Sequence, residues 1–182
     1  MKTEIKDEYL GGERKDTVSR DAVAMQIAQI CSKESKDPST QVGACIVSSD
    51  GRIISTGFNH NPEKWEVNRF PWGNDVRNNG EGNTKYPYII HAELDAICKC
   101  TNLQSLNGAA IYVTLFPCEQ CAKIITAFGI KKVVYFERRN TQSEEYSERT
   151  FDECGIECTS YQELTNSKTK RVKIRLRKEG EN

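Results

Sequence analysis

Two short segments of the chain carry residue types that bind zinc and move protons. His91 and Glu93 are separated by one residue, and Pro117 precedes Cys118 and Cys121, which are three positions apart. Imidazole and thiolate groups are the usual zinc ligands, and two Cys at this spacing in the first turn of a helix can direct both sulfur atoms to one point. His91 can bring its imidazole from a second helix. Three protein ligands leave the fourth tetrahedral position open, which is typical of a catalytic rather than a structural zinc site.

Glu93 lies within reach of that open position without having to bind the metal. A carboxylate there can take a proton from the attacking water and deliver protons to the substrate, so that one group serves as base and acid. The whole pattern, H-x-E followed by P-C-x-x-C, is the signature of zinc-dependent nucleobase deaminases. The sequence therefore predicts a catalytic zinc site with Glu93 as the proton carrier.

The Cys pair taken alone has other interpretations. C-x-x-C also occurs in redox pairs and in structural zinc fingers. The chain contains two His residues, and one of them is His91 in the H-x-E segment, so the combined pattern favours the catalytic site. The other, His60, has no Cys or His neighbour at the short spacing of a zinc site, and we expect no metal there.

Composition and charge indicate one globular domain. The chain has 182 residues, of which 37% are hydrophobic and 29% charged, enough for a sizeable core. No apolar run approaches membrane-spanning length, and the charged N-terminus lacks the apolar core of a secretory signal. We therefore expect a soluble cytoplasmic protein without a membrane partner. Its eight Cys should be reduced, and those that do not bind zinc should mostly be small core residues.

Charge is balanced over the whole chain but not along it. The 26 basic and 26 acidic residues cancel, whereas residues 163–182 hold seven Lys/Arg and three Glu, a net of +4. We predict a flexible arm at 1–18, a deaminase domain at 19–162 with a long loop at 59–87, and a basic extension at 163–182. Alternating basic and apolar residues at 170–177 favour an edge strand over a nucleic-acid arm. The acidic remainder disfavours a nucleic-acid partner.

The hydrophobic pattern alternates between strand and helix periods. Ser19 caps a predicted helix whose apolar stripe is Val23, Ile27, Ile30 and Cys31. Other helices are predicted to begin at His91 and Cys118 and to lie near residue 150, and strands at 42–47, 52–58, 110–114, 132–136 and from 156. This alternation argues for a mixed sheet with helices on both faces.

Residues 59–87 differ from the rest of the chain, with almost no periodicity and many Asn, Gly and Pro residues. Loops of this length inside compact domains tend to be functional. The aromatic residues of the loop, Trp65, Phe70 and Trp72, fit either a lid over a pocket or a flap that packs on the body or on another subunit.

Beyond the metal motif, three blocks of sequence resemble the deoxycytidylate deaminases, a branch of the zinc-dependent cytidine deaminase-like superfamily. They are Ser35–Val47 (SKDPSTQVGACIV), Thr84–Leu94 (TKYPYIIHAEL) and Tyr112–Cys118 (YVTLFPC), and the similarity covers about residues 20–160. The resemblance implies an α/β, three-layer cytidine deaminase-like fold with a five-stranded mixed sheet and one zinc per subunit. It also implies hydrolysis of dCMP to dUMP and ammonia, a step that feeds dTMP synthesis.

The resemblance extends to assembly and regulation. Related enzymes are commonly homo-oligomers, often hexamers, which dCTP activates and dTTP inhibits, and Mg²⁺ would enter only with such a triphosphate effector. Two segments depart from the family pattern. Gly57–His60 (GFNH) replaces Gly-Tyr-Asn-Gly, a segment linked to effector binding, and Glu137–Asn140 (ERRN) lies where a Tyr is common. Because a side chain at His60 crowds an approach that Gly leaves open, we predict weak or absent activation by dCTP.

Six residues are candidate substrate contacts, each with a structural alternative. Asn59 could bind the sugar hydroxyl or form a turn, and Phe116 could pack on the base or belong to the core. The phosphate could meet backbone N–H groups and hydroxyls before the first strand, or a basic pair after the fourth. The candidates for the phosphate are Ser39, Thr40, Arg138 and Arg139.

The substrate itself has alternatives. Deamination of dCTP, or of a base in RNA, uses the same metal chemistry. A non-catalytic binding module with a structural zinc is a third possibility, but Glu93 argues against it because a structural site has no use for a general base.

Overall fold

The central sheet of the protein has five strands. In the computed structural model, which describes residues 17–62 and 70–166, the strands are β1 (Gly43–Val47), β2 (Ile53–Phe58), β3 (Ala110–Leu115), β4 (Lys132–Glu137) and β5 (Glu157–Ser160). Their order across the sheet is β2-β1-β3-β4-β5. The first 16 residues of the predicted arm, Trp65, and the predicted strand at 170–177 lie outside the described residues.

The sheet combines antiparallel and parallel pairs. β1 pairs antiparallel with both β2 and β3, whereas β3, β4 and β5 are parallel to one another. The β1–β2 hairpin turns at Gly51, whose φ of 83° favours glycine. Parallel neighbours need a crossover connection, and helices supply it on both occasions. The expectation of a mixed five-stranded sheet is confirmed.

Helices cover both faces of the sheet. They are α1 (Arg20–Ser32), α2 (Val76–Asn79), α3 (Ala92–Lys99), α4 (Glu119–Ala127) and α5 (Gln142–Glu153), with 3₁₀ turns at Glu81–Asn83 and Leu103–Leu106. α1 packs on one face with Cys45, Tyr112 and Val134 of the sheet. α3, α4 and α5 contribute to the larger core on the other face. The predicted three-layer α/β fold is therefore confirmed.

The first helix begins as predicted but turns a different side to the sheet. The Ser19 side chain accepts a hydrogen bond from the Ala22 N–H and caps α1. The predicted apolar stripe is wrong in part, because Val23 and Ile30 are 36% and 69% exposed.

Two alanines and a methionine form the centre of the buried side of α1. Ala24, Met25 and Ala28 are at most 1% exposed. The helix lies so close to β1 that a Cβ at Gly43 would overlap the Ala28 carbonyl oxygen. At that separation the helix must present Ala rather than Ile to the sheet. The steric fit between Gly43 and the helix therefore outweighs hydrophobicity in setting the orientation.

A second close approach places α3 against β2. A Cβ at Gly57 would lie 2.5 Å from the Ala92 carbonyl oxygen, so only glycine lets the helix backbone approach the strand. Asp95 strengthens the contact, because its buried carboxylate accepts the Phe58 N–H at 3.1 Å. The beginning of α3 is thereby held at the carboxyl end of β2.

The Cys residues are reduced, but not all of them are buried. All eight are free thiols. Cys31, Cys45 and Cys100 are buried core residues, as predicted, whereas Cys98 and Cys154 are exposed and that part of the prediction is wrong. Cys98 lies on the solvent side of α3, and Cys154 caps the end of α5.

The described part of the long loop contains regular structure. α2 and the first 3₁₀ turn lie within residues 70–87. The Phe70 and Tyr88 rings lie 5.0 Å apart, and paired hydrogen bonds of 3.1 and 2.8 Å join His60 to Ile90 at the base of the loop. Among the helices in the described ranges, none combines the length and the hydropathy needed to cross a membrane.

Candidate active site

The starts of two helices bring the predicted metal ligands together. His91 caps the N-terminus of α3 and Cys118 that of α4, and Cys121 lies in the first turn of α4. The His91 Nδ1 atom is 3.4 Å from each of the two Sγ atoms. The three ligand atoms all lie within 4.8 Å of one another.

These distances fit a tetrahedral zinc ion. Zn–S bonds of about 2.3 Å and Zn–N bonds of about 2.0 Å place sulfur and nitrogen roughly 3.5 Å apart in a tetrahedron. The Cys121 thiol and the adjacent His91 imidazole lower the pKa of the Cys118 thiol to about 4, and a helix N-terminus also favours a thiolate. A search of the described residues for clusters of His, Cys, Asp and Glu side chains that could hold a metal ion finds these three residues.

Glu93 lies beside the ligands in the first turn of α3. Its side chain is buried, with the residue 4% exposed, and it lines the same cavity as His91 and Cys118. Burial raises the pKa of the Glu93 carboxyl above its ordinary value. The shift favours the protonated form of the carboxyl group, and a carboxyl group beside the metal ligands can serve as general acid and base.

The cavity that contains Glu93 has a volume of about 710 Å³. Residues from before β1, the end of β2, the long loop, the start of α3, the β3–α4 connection and the β4–α5 connection line it. They are Asp37, Ser39, Thr40, Val42, Asn59, Asn74, Lys85, Tyr86, Ile89, His91, Ala92, Glu93, Leu115, Phe116, Cys118, Glu119, Gln120, Arg139, Thr141, Ser143 and Glu144. Five of the six predicted substrate contacts are in this wall, and Arg138 is not.

Asn59 lines the cavity while holding the segment before β1. Its Oδ1 atom accepts the Val42 N–H at 2.7 Å, and its Nδ2 atom donates to the Thr40 carbonyl oxygen at 2.9 Å and to Asp37 at 3.3 Å. Asn59 as a whole residue is 4% exposed. Asn59 therefore shapes the wall through contacts with the protein itself.

Ser39 and Thr40 face the cavity with their side chains rather than their amides. Both backbone N–H groups donate to the buried Asp37 carboxylate, at 2.8 and 3.1 Å. Asp37 is 1% exposed and organises this turn, and sequence reasoning missed it. An Asp followed two residues later by polar turn residues is a signal for this kind of turn and could have revealed it.

The two neighbouring arginines have different environments. Arg139 reaches the cavity, and its Nη2 atom donates to the Thr40 hydroxyl at 2.9 Å. Arg138 instead donates two hydrogen bonds to the Glu148 carboxylate, at 3.2 and 3.1 Å, and its guanidinium lies 4.6 Å from the centre of the Phe116 ring. The structure therefore brings Arg139, and not Arg138, to the candidate site.

A capping interaction at the start of α5 positions Arg139. The Thr141 hydroxyl accepts the Glu144 N–H at 3.4 Å, while the Glu144 carboxylate accepts the Arg139 and Asn140 N–H groups at 3.0 and 2.7 Å. Asn140 has a φ of 56°, which turns the chain sharply between β4 and α5. The turn directs Arg139 across to Thr40.

Phe116 connects the cavity wall to the core. It is 4% exposed and packs edge-on against Tyr135, with ring centres 4.8 Å apart, and against Phe151 at 6.2 Å. Phe116 also lines the cavity, two residues before Cys118. The two interpretations of Phe116, core residue and base contact, are therefore compatible.

A further residue of the cavity wall, Lys85, was not anticipated. Lys85 lines the cavity and is 5% exposed, with its Nζ atom 2.5 Å from Asp37. His60 lies outside the cavity wall, where its Nε2 atom is 3.2 Å from Asp95. Nothing in the local sequence around Lys85 distinguishes it from a surface lysine, since its burial depends on a partner 48 positions away.

Comparison with known proteins identifies the family. A model described as the cytidine and deoxycytidylate deaminase zinc-binding region matches residues 18–137. The chain belongs to this family. The matched range includes His91, Glu93, Cys118 and Cys121, so the family's zinc-binding region contains the site described above.

Characterised members of the family resemble the chain over most of its length. The deoxycytidylate deaminase of Pongo abelii is 40% identical over 134 residues, which span 72% of this chain and 74% of the relative. That of Mus musculus is 42% identical over 121 residues, spanning 66% of each protein. A cyanophage S-TIM5 dCMP deaminase, solved in complex with dCMP and dUMP, superposes with a TM-score of 0.59 at 25% identity, over 76% of this chain and 94% of the other.

Proposed function

We propose that this protein is a zinc-dependent hydrolase that deaminates dCMP to dUMP and ammonia. The observation that carries the proposal is the arrangement of His91, Cys118 and Cys121 around one point beside the buried Glu93, in the wall of a nucleotide-sized cavity. The named relatives are deoxycytidylate deaminases, and the cyanophage relative binds dCMP and dUMP.

The chemistry divides between the metal and Glu93. When it is held by His91, Cys118 and Cys121, zinc acts as a Lewis acid that makes water nucleophilic near neutral pH. Glu93 accepts a proton from the water that attacks C4 of the cytosine ring and gives it to ring N3. Glu93 then takes the remaining proton of that water from the new C4 hydroxyl and delivers it to the amino group, which leaves as ammonia. The raised pKa of the Glu93 carboxyl suits it to both directions of transfer.

Phe116 and Asn59 are the proposed contacts for the base and the sugar. Phe116 lines the cavity together with Cys118, beside which the reacting base must lie. The Asn59 Oδ1 atom accepts one hydrogen bond from Val42 and keeps a second lone pair for a sugar hydroxyl. Both residues are held by the protein before substrate arrives, which lowers the entropic cost of binding.

Arg139 is the proposed partner of the phosphate, with the Thr40 and Ser39 hydroxyls beside it. A guanidinium can donate two parallel hydrogen bonds to a phosphate. The existing bond from Arg139 to the Thr40 hydroxyl holds both groups in place.

Other features of the proposal follow the family resemblance. We propose one zinc per chain, a homo-oligomeric assembly, a cytoplasmic location and a catalytic domain at 19–162. Mg²⁺ is expected only in company with a triphosphate effector.

A panel of substrates tests the proposed function. The zinc-loaded protein would be incubated with dCMP, dCTP, CMP, deoxycytidine and cytosine-containing RNA, and both ammonia and the uracil product would be measured. We expect the highest kcat/KM for dCMP. A higher kcat/KM for dCTP or RNA would reassign the substrate, and no ammonia from any of them would refute the enzymatic assignment.

A further inference from the structure

A buried lysine in the cavity wall has more hydrogen-bonding capacity than its protein partner uses. The Lys85 side chain is 7% exposed and that of Asp37 is 0% exposed, with 2.5 Å between the Nζ and Oδ2 atoms. Lysine is rarely buried unless it is paired. An ammonium group has three N–H donors, and Asp37 is the acceptor that the structure gives for Lys85 among the described residues.

Asp37 does not depend on Lys85 for its hydrogen bonds. The Ser39 and Thr40 N–H groups donate to its Oδ1 atom, and Asn59 donates to its Oδ2 atom. Buried ion pairs often stabilise a fold no better than well-packed apolar residues would. The turn before β1 is therefore organised without the lysine, and a structural role alone does not explain a buried cation at this place.

Lys85 and Arg139 both bind side chains of one short segment of the wall, residues 37–40. Arg139 donates to the Thr40 hydroxyl at 2.9 Å, the Thr40 N–H donates to Asp37 at 3.1 Å, and Asp37 meets Lys85 at 2.5 Å. Among the described lining residues, these two are the lysine and the arginine. The metal ligands, by contrast, come from the starts of α3 and α4.

Four carboxylates also line the cavity, those of Asp37, Glu93, Glu119 and Glu144. Glu144 accepts hydrogen bonds from the Arg139 and Asn140 N–H groups, and Glu119 accepts one from the Ser143 hydroxyl. Asp37 neutralises one of the two cations. A phosphate monoester is negatively charged at pH 7 and has three strong acceptor oxygens, so the N–H donors of Lys85 and Arg139 and the Ser39 and Thr40 hydroxyls can all bind it.

We propose that Lys85 is a second phosphate ligand, which acts with Arg139 and makes the enzyme select a nucleotide over a nucleoside. The inference rests on the proposed function and extends it to a residue outside the metal motif. Asp37 holds the ammonium in place before the substrate arrives. The free N–H groups of Lys85 then donate to the phosphate from a site shielded from water, where a charge-assisted hydrogen bond is stronger than on the surface.

The test is the Lys85→Met variant, with Lys36→Met as the matched control. Lys36 is exposed and adjacent to Asp37 in sequence but does not line the cavity. For Lys85→Met we expect KM for dCMP to rise roughly 10- to 150-fold, the range of one hydrogen bond to a charged group. The kcat, the zinc content and the kcat/KM for deoxycytidine should stay close to wild-type values. Inorganic phosphate should also become a weaker competitive inhibitor, and Lys36→Met should change none of these quantities.

Several outcomes would overturn the inference. An unchanged KM for dCMP would remove Lys85 from the phosphate site, and an equal loss on dCMP and deoxycytidine would reduce it to a structural residue. If Lys85→Met does not fold because it leaves a buried carboxylate unpaired, the double variant Asp37→Asn with Lys85→Met removes both charges and keeps an acceptor for the Ser39 and Thr40 N–H groups. That variant should show the same selective loss. A wild-type enzyme that fails to deaminate dCMP would contradict the proposed function itself, which is a separate result.

Discussion

The two functional parts of the cavity are built in different ways. The metal site uses three ligands at the N-termini of α3 and α4, two of them three residues apart. The proposed phosphate site draws Asp37, Asn59, Lys85 and Arg139 from four separate segments and joins them by side-chain hydrogen bonds. One helix start supplies Cys118 and Cys121 and a second supplies His91, 27 positions earlier, whereas the proposed phosphate site also needs the sheet and the long loop to assemble. Loss of one metal ligand should therefore abolish activity, whereas a substitution in the proposed phosphate site should lower activity by a limited factor.

The largest expected effect comes from removing a metal ligand. Cys121→Ser should lose the bound zinc and all measurable dCMP deamination, because two remaining ligands hold the metal weakly and no other described group can replace the thiolate. Zinc content by atomic spectroscopy and dUMP formation are the measurements. Cys100→Ser is the matched control, since Cys100 is also buried but its thiol meets the Asn102 carbonyl oxygen. Retention of zinc and activity by Cys121→Ser would remove this residue from the ligand set.

The metal site was predictable because its signal is local. Residues three apart at a helix start must lie together, whatever the rest of the fold does. The strands and helices near it were predicted for similar reasons, since their periods are properties of short segments. Ser19 is another example of a local signal, because this capping residue alone predicted where α1 begins on the other face of the sheet.

Separate substitutions of the two arginines by methionine test the proposed phosphate site. Arg139→Met should lower kcat/KM for dCMP roughly tenfold, near the low end for a hydrogen bond to a charged group because the residue is exposed. Arg138→Met removes an equal charge from the neighbouring position, but that side chain is bound to Glu148. Its activity should stay within about threefold of wild type, since surface ion pairs contribute little. Similar losses in both variants would mean that net charge, rather than a contact, attracts the substrate.

Sequence reasoning named Ser39, Thr40 and Arg139 but missed the Lys85–Asp37 pair of the proposed phosphate site, because the signal for that pair is not local. Lys85 and Asp37 are 48 positions apart, and neither has a pattern that reveals the other. The prediction of which side of α1 faces the sheet was wrong for a related reason. Val23 and Ile30 suggested an apolar stripe, but the close approach at Gly43 places Ala28 against the sheet and leaves Val23 and Ile30 exposed. Distances between elements decided both cases, and a single sequence does not contain them.

The smallest expected effect concerns regulation. The rate should depend hyperbolically on dCMP concentration, and dCTP with Mg²⁺ should change it little. His60 occupies the position of a family glycine, and its ring lies 5.2 Å from the Phe58 ring and 3.2 Å from Asp95. A site crowded by that ring has little differential affinity to offer an effector.

A dCMP titration with and without dCTP and Mg²⁺ decides this point. A sigmoidal curve that dCTP converts to a hyperbolic one would contradict the prediction. It would also show that the loop at 59–87 supplies an effector site of its own.

The central claim is that the metal site performs the chemistry through Glu93 while the phosphate site binds the nucleotide. The most direct measurement compares zinc-loaded wild-type protein with zinc-loaded Glu93→Gln, which has the same shape but cannot carry the proton. We expect Glu93→Gln to keep its zinc and its affinity for dUMP and to lose turnover of dCMP by at least about 10³-fold, in the upper range for a general acid and base. Turnover by Glu93→Gln within tenfold of the wild-type rate would contradict the account.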